Sequence, residues 1–458
     1  MHRRGRHAAG VAALVLLGGC TAPSPPAPAA NGPAWRDCAF GRCTEVAVPV
    51  DPLAPDGRRI TLAVAMRPAS APRAGAIFVH PGGPGVSGRE RLASVDRSGL
   101  EAYDLIAWDP RGVGGSRPFA CLDGPDADAF LAHDLSLADA EADTPAWRRA
   151  RAEAAAFGAA CRADAGDLVD HLDAATQAAD LEALRARLTG EPLRFLGFSE
   201  GGRVGAAYAE AHGEQVAAMV LDSPPDVNPP TAPQAAGFDA ALARAGLAGR
   251  AAAVLARTAS DPPAVGERAL TRPLAAAGMV ALTYAGDTTV LADALAAAEA
   301  GDGAPLLDAA DGLAGRRPDG SYGPLLGTFR ATTCADTPWR DEASAVAAWR
   351  EAATAAPTLG EALGPDLVCV GFPAPAAPLT VAGSAVRVPI LVLASTGDPA
   401  TPHAGSEALA DDLATGVLIT REGKGHGALG RGAACVDEAA RAALTAGDSR
   451  FDVGPRRC

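Results

Sequence analysis

Leu193-Arg194-Phe195-Leu196-Gly197-Phe198-Ser199-Glu200-Gly201-Gly202 runs from a short apolar segment through a Gly-x-Ser-x-Gly turn into a segment of helical spacing that reaches Ala211. A tight strand-to-helix turn tolerates no side chain at either flank of its apex, which is why the two flanking positions are glycine. The turn lifts the Ser199 hydroxyl above the sheet. It also puts the Glu200 N–H at a helix N-terminus, where a developing oxyanion can be held. Without the strand before it and the helix after it, the pentad would be a plain turn.

Short apolar segments on both sides of this turn predict the other strands. They are Thr44 to Val50, Arg59 to Ala65, Ala76 to Val79, Tyr103 to Trp108, Ala217 to Leu221, Val388 to Leu393 and Gly416 to Thr420. Asp173 to Leu188 has helical spacing, with Ala179, Leu181, Leu184 and Leu188 on or near one face. Strands alternating with helices predict an α/β fold with a mostly parallel sheet covered on both faces. Between Asp222 and Val388 lie roughly 160 residues of helical composition, far more than an ordinary connection. This segment is expected to be an inserted helical cap.

A serine nucleophile needs a base, and the base needs a carboxylate to orient it. With the nucleophile on such a turn, the order along the chain is Ser, acid, His. His426 sits in Gly423-Lys424-Gly425-His426-Gly427 after the last strand and is the expected base. His403 reads as a surface or pocket-rim residue. Asp398, in Thr396-Gly397-Asp398-Pro399 after strand Val388 to Leu393, is the expected acid. Asp222, at the end of an earlier strand, is the rival, although a turn-forming role suits it better. The second oxyanion donor should come from His80-Pro81-Gly82-Gly83-Pro84-Gly85, with the Gly83 N–H as the expected group. No Lys-Ser/Thr follows that loop, as a phosphate-binding loop would require. Arg111, in Asp109-Pro110-Arg111-Gly112, is expected to pair with a buried carboxylate and brace the region.

The 458 residues carry a net charge of -14, so there is no surplus of basic residues to neutralise phosphates, and a nucleic-acid partner is excluded. Hydrophobic residues make up 48% and aromatics 4%, so the core should be built from Val, Leu and Ala. At the N-terminus, the basic residues His2 to Arg6 precede an apolar stretch, Ala8 to Leu17, of roughly ten residues, which suits a signal peptide rather than a membrane span. Leu17-Gly18-Gly19-Cys20 looks like a bacterial lipobox, with Cys20 as the lipidated residue; an ordinary signal peptide with an incidental cysteine is the alternative. The Pro- and Ala-rich residues that follow read as a tether. The other eight of the nine cysteines are Cys38, Cys43, Cys121, Cys161, Cys334, Cys369, Cys435 and Cys458. An even number in an exported chain suggests disulfides, and pairing of sequence neighbours is the simplest pattern. No CxxC or HExxH spacing suggests zinc, and no metal or cofactor is implied.

Together the motifs resemble those of secreted actinobacterial tripeptidyl aminopeptidases and related prolyl-aminopeptidase-like α/β-hydrolases. The matching pieces are His80 to Gly85 with Ser87-Gly88, Asp109 to Gly112 with Gly114 and Ser116, and Asp180 to Arg185. To these are added the Ser199 turn, Val220-Leu221-Asp222, Gly397-Asp398 with Thr401-Pro402, and Gly425-His426-Gly427. Two positions depart from the family pattern: Glu200 stands where an aromatic residue is usual, and His80 where asparagine is usual. The resemblance implies an α/β-hydrolase fold and cleavage of short peptides from a free N-terminus; the family also includes lipoprotein carboxylesterases.

The expected organisation is a signal peptide (residues 1–19), a lipidated cysteine with its tether (20–34), the first part of the core (35–224), the helical cap (225–385), and the C-terminal part of the core with acid and base (386–458). The expected function is that of an exo-acting serine peptidase on the outer face of the membrane, with Cys20 its only membrane contact, or released to the extracellular space. Glu200, beside the nucleophile, is a candidate for pairing with the substrate amine, with cap acids such as Asp336 as further candidates; an alternative role for Glu200 is that of a helix first-turn acid. A carboxylesterase acting on small esters with the same triad is the other enzymatic reading. A surface binding lipoprotein with an inactive hydrolase fold is the non-enzymatic one.

Overall fold

The computed structural model describes residues 33–227, 231–284, 286–338, 341–372, 379–446 and 454–458. The expected signal peptide, Cys20 and the tether as far as residue 32 lie outside the described residues. The strands are β1 (Arg36–Cys38), β2 (Gly41–Pro49), β3 (Arg59–Arg67), β4 (Gly75–His80), β5 (Tyr103–Trp108), β6 (Leu193–Phe198) and β7 (Val216–Asp222), followed by β8 (Ala264–Val265), β9 (Arg268–Ala269), β10 (Ile390–Gly397), β11 (Gly416–Lys424) and β12 (Arg456–Arg457). Ten of them form one sheet in the order β1-β2-β3-β5-β4-β6-β7-β10-β11-β12. The β1–β2, β2–β3 and β3–β5 pairs are antiparallel, and from β5 to β12 all neighbours run parallel.

Alternation along each strand builds the two layers that cover this sheet. Phe78, Ile106, Phe195, Met219 and Val392 pack on one face, in the same cluster as Trp147, Phe157, Leu181 and Leu184 of the helices Pro145–Ala165 and Ala174–Leu188. Ile77, Val79, Leu105, Leu196, Val220 and Leu391 pack on the other face, with Val436, Ala439, Ala440 and Ala443 of the helix Ala434–Thr445. All six residues of β4 are buried, as expected of a strand covered on both faces.

The segment between β7 and β10 contains helices Thr231–Arg244, Ala248–Ser260, Arg272–Thr283, Thr289–Glu299, Ala304–Ala314, Leu325–Asp336 and Glu342–Ala355, with the β8–β9 hairpin outside the main sheet. Helix Ala248–Ser260 buries Ala251, Val254, Leu255 and Thr258, a single stripe at helical spacing. The first five of these helices form their own hydrophobic cluster around Leu242, Leu255, Met279, Leu295 and Leu306. The last two instead bury Leu326, Ala331, Ala345 and Trp349 in the larger cluster that lines the sheet.

Four disulfides pair sequence neighbours: Cys38–Cys43, Cys121–Cys161, Cys334–Cys369 and Cys435–Cys458. The expected brace is also present. Arg111 is fully buried and makes two hydrogen bonds to Asp180, at 2.8 Å and 2.7 Å, with further bonds to the carbonyls of Val50 and His171.

Candidate active site

Ser199 stands between β6 and the helix Glu200–His212 with φ 49° and ψ -117°, a conformation that a residue with a Cβ adopts only when its surroundings impose it. The surroundings are on hand. A Cβ added to Gly197 would lie 2.3 Å from the Gly201 carbonyl oxygen, and one on Gly201 would lie 2.8 Å from the His80 ring. The Ser199 N–H donates to the Asp222 carbonyl at 2.8 Å, tying the turn to the end of β7.

The loop after β4 approaches from the other side. A Cβ on Gly82, which has φ +88°, would come within 2.8 Å of the Phe198 carbonyl oxygen and 3.2 Å of Ser199 Cβ, so only glycine permits this approach. The next amide, Gly83, thus lies in the loop that faces the serine. His80 is buried beneath it, and its Nδ1 accepts from the Gly82 N–H at 3.3 Å. Burial pushes its imidazole down to about 4, with a smaller opposing pull from Gln177, so His80 is neutral and shapes the loop.

His426 and Asp398 come together at the ends of β11 and β10. His426 Nδ1 lies 3.0 Å and 3.1 Å from the two Asp398 carboxylate oxygens, and 3.1 Å from Thr401 Oγ1. The carboxylate also accepts from the N–H groups of Ala400, Thr401 and Gly427. Burial alone would raise the Asp398 pKa, but His426 and these amides more than offset it and hold it below the usual range. An ionised carboxylate only accepts, so Nδ1 of His426 carries the proton and Nε2 presents its lone pair.

Asp222 has neither of the roles considered for it. It is the last residue of β7 rather than a turn residue, and its hydrogen-bond partners do not include a histidine. Its two carboxylate oxygens accept from the N–H groups of Ala428 at 2.8 Å and Leu429 at 3.2 Å. Asp222 therefore clamps the histidine loop with its side chain and the serine turn with its carbonyl. A second clamp comes from the insertion. The Tyr284 carbonyl accepts from the His426 N–H at 2.9 Å, and the Tyr284 ring meets the imidazole edge-on at 5.7 Å. His403 lies apart from this group, with Nε2 2.9 Å from Thr420 Oγ1.

Glu200 is the acid of its helix's first turn, as the alternative reading expected, and it is buried there. It lies 3.4 Å from Arg203, which also lies 3.5 Å from Asp336 at the end of helix Leu325–Asp336. Burial raises its carboxyl to about 7, with Arg203 pulling it down and Asp336 pushing it up. The sequence offered Asp222 only as the rival acid or a turn residue, and it did not single out Arg203. Arg203 could have been suspected from its i,i+3 spacing to Glu200. No local signal marks Tyr284.

Comparison with known proteins fits this geometry. The family described as "TAP-like protein" matches residues 356–451, the part that carries Asp398 and His426. Serine protease Hip1 of Mycobacterium tuberculosis is 32% identical over 88% of this chain and 85% of its own length. The chain belongs to the TAP-like family of α/β-hydrolases. Carboxylesterase B of Mycobacterium tuberculosis is 31% identical over 87% of this chain and 83% of its own length. Tripeptidyl aminopeptidase of Streptomyces lividans is 34% identical over 41% of this chain and 37% of its own length. As a member of the TAP-like family this chain is a serine hydrolase, and its relatives divide between peptidases and esterases.

Proposed function

We propose that this hydrolase is an exo-acting serine peptidase that releases short, tripeptide-like fragments from free N-termini, with Ser199, His426 and Asp398 as its catalytic triad. The observation that carries this is the hydrogen bond of 3.0 Å from His426 Nδ1 to a buried, ionised Asp398, together with the strained turn that holds Ser199. In this reading His426 Nε2 takes the proton of Ser199 Oγ as the oxygen attacks the scissile carbonyl. The N–H groups of Glu200 and Gly83 receive the oxyanion. The imidazolium, steadied by Asp398, then protonates the leaving amine, and water repeats the sequence on the acyl-enzyme. The helices between β7 and β10, set as a domain of residues 225–385, serve as a cap that limits substrate length, with residues 35–224 and 386–458 as the core. Support for this placement comes from Tyr284, which bonds His426, and from helix Leu325–Asp336, which lies against Gly85.

The esterase reading is favoured by one specific fact, the likeness to a carboxylesterase over most of the chain. Products from a tripeptide p-nitroanilide, its N-acetylated form and a neutral p-nitrophenyl ester decide between them. Preference for the free amine by tenfold or more supports the peptidase; equal rates on the two anilides with faster ester hydrolysis replaces it with the esterase. Labelling by a fluorophosphonate that persists after Ser199→Ala would remove the triad itself.

We also propose that the mature protein is anchored through Cys20 to the outer face of the cell membrane. The basic residues 2–6, the apolar stretch 8–17 and the Gly-Gly-Cys at 18–20 support this. Radiolabelled palmitate incorporated by the full-length chain and lost in Cys20→Ser is the expected result.

A further inference from the structure

Beside the nucleophile lies a group of charges whose accounts do not close. Arg203 donates through Nε and one terminal nitrogen to the Asp226 carbonyl, at 3.3 Å and 2.8 Å. Its other terminal nitrogen stands between two carboxylates, 3.4 Å from Glu200 and 3.5 Å from Asp336. One Asp336 oxygen accepts from the Ala174 N–H. Glu200 Oε1 is buried with no hydrogen-bond partner among the described residues, and Asp336 Oδ2, also buried, meets only Arg203, in an ion pair of 3.5 Å; the two side chains are 4% and 7% exposed. Buried oxygens of this kind are costly to leave unbonded.

Charge is unbalanced in the same place. Two carboxylates face one guanidinium, so full ionisation leaves one buried negative charge uncompensated. A proton or one monovalent cation would restore neutrality. A divalent metal would overshoot it and would sit against the Arg203 charge. What the cluster lacks is one positive charge that brings several N–H donors, which describes a primary ammonium. Its position suits the end of a substrate. Glu200 directly follows Ser199, and the helix that carries Asp336 begins against the glycine loop, where a Cβ on Gly85 would meet Leu325 at 2.9 Å. The Cys334–Cys369 bridge fixes the Asp336 end of that helix.

We propose that Glu200 and Asp336, held on either side of Arg203, form the subsite that receives the α-ammonium of the peptide substrate. The inference rests on the aminopeptidase reading and deepens it. The stop that makes the enzyme exo-acting is then built jointly by the nucleophile turn and an insertion helix. Binding exchanges one cation for another: the proton on the carboxylate pair leaves to solvent as the substrate ammonium enters, and charge balances on both sides. The charged groups that face Glu200 are Arg203 and Asp336, with Asp173 beyond Asp336 and the neutral His80 ring against Gly201. Because burial places the Glu200 carboxyl near 7, protons compete with the ammonium below neutrality. The KM of free-amine substrates should therefore rise as pH falls from 7 to 5.

The test measures kcat and KM between pH 5 and 8 on a tripeptide p-nitroanilide and on its N-acetylated form, with active sites counted by fluorophosphonate titration. Glu200→Gln is expected to raise KM for the free amine about 10- to 100-fold, the weight of a charged hydrogen bond, and to abolish the acid rise of KM. Asp336→Asn should act in the same direction, and Glu200→Asp should keep part of the selectivity. A wild type that prefers the free amine, together with unchanged KM and unchanged pH dependence in both neutral variants, overturns the subsite and leaves the aminopeptidase reading standing. A wild type indifferent to acetylation overturns both.

Discussion

Replacing Glu200 by Gln should stabilise the folded protein, and the gain should depend on pH in a calculable way. Burial raises the Glu200 carboxyl from its ordinary 4.5 to about 7, with Arg203 opposing and Asp336 reinforcing the rise. Between those two values the unfolded chain has released this proton and the folded chain still holds it. The folded state then binds more protons, so its stability falls as pH rises through the window and levels off above about 7. The gap corresponds to about 3 kcal/mol at 1.36 kcal/mol per unit. With an unfolding entropy near 2 cal/mol/K per residue, a chain of this length converts that into about 3 °C in Tm. Glutamine has no proton to lose, and Asp336 then has Arg203 to itself. The Tm difference between Glu200→Gln and wild type, followed by calorimetry, should grow by about 3 °C from pH 5 to pH 8. Parallel Tm curves for the two proteins across that range would refute the argument, because Glu200 would then titrate alike in both states.

Two further substitutions probe the site from other sides. Asp398→Asn should lower kcat by about 10⁴-fold, since it presents the wrong partner to His426 Nδ1. Asp222→Asn should instead cost about 1–3 kcal/mol of stability, because an amide opposes one of the two N–H groups that the carboxylate accepts, with a smaller loss of kcat as the histidine loop drifts; the opposite ranking of kcat would exchange the roles of the two acids. The double substitution Cys334→Ser with Cys369→Ser should lower stability by about 2–5 kcal/mol and should raise KM for free-amine peptides more than for N-blocked ones, because Asp336 lies two residues from the bridge. Equal KM changes for the two substrates would separate the bridge from the ammonium subsite.

Much of the site is local in sequence, and that part could be read directly. The Ser199 and Asp398 turns each follow a mostly buried strand and the His426 loop follows the partly buried β11, and each carries its glycine or proline within the same few residues. The disulfide pattern was readable for a related reason. Each bridge closes a short excursion of the chain, and two of them hold edge strands that carry no apolar pattern. Cys38 in β1 pairs with Cys43 in β2, and Cys458 follows β12 and bonds β11 through its backbone. The strands β1 and β12 are exposed and short, so periodicity could not announce them.

What the sequence hid are contacts whose partners are far apart along the chain. The clamp from Asp222 to Ala428 spans 206 residues, and nothing near Asp222 distinguishes a clamp from a turn or a catalytic acid. The adjacency of β7 and β10 puts the end of β7 under the histidine loop, so the clamp made by Asp222 follows from strand order rather than from a motif. The insertion shows the same limit in a different form. Its helical character was legible from composition, but composition does not say which core each helix enters. The first five share a cluster with Leu359, Ala362 and Ala400, while Leu325–Asp336 and Glu342–Ala355 join the core that lines the sheet, the latter also packing Ala352 with Ala235 of helix Thr231–Arg244. That division has a mechanical consequence. Because helix Leu325–Asp336 belongs to the sheet's own core and Tyr284 bonds the His426 backbone, the helices between β7 and β10 cannot swing away as a unit without breaking these contacts. On the peptidase reading proposed above, substrate would then enter between fixed walls, and an ammonium subsite would set the register of cleavage without a closing motion.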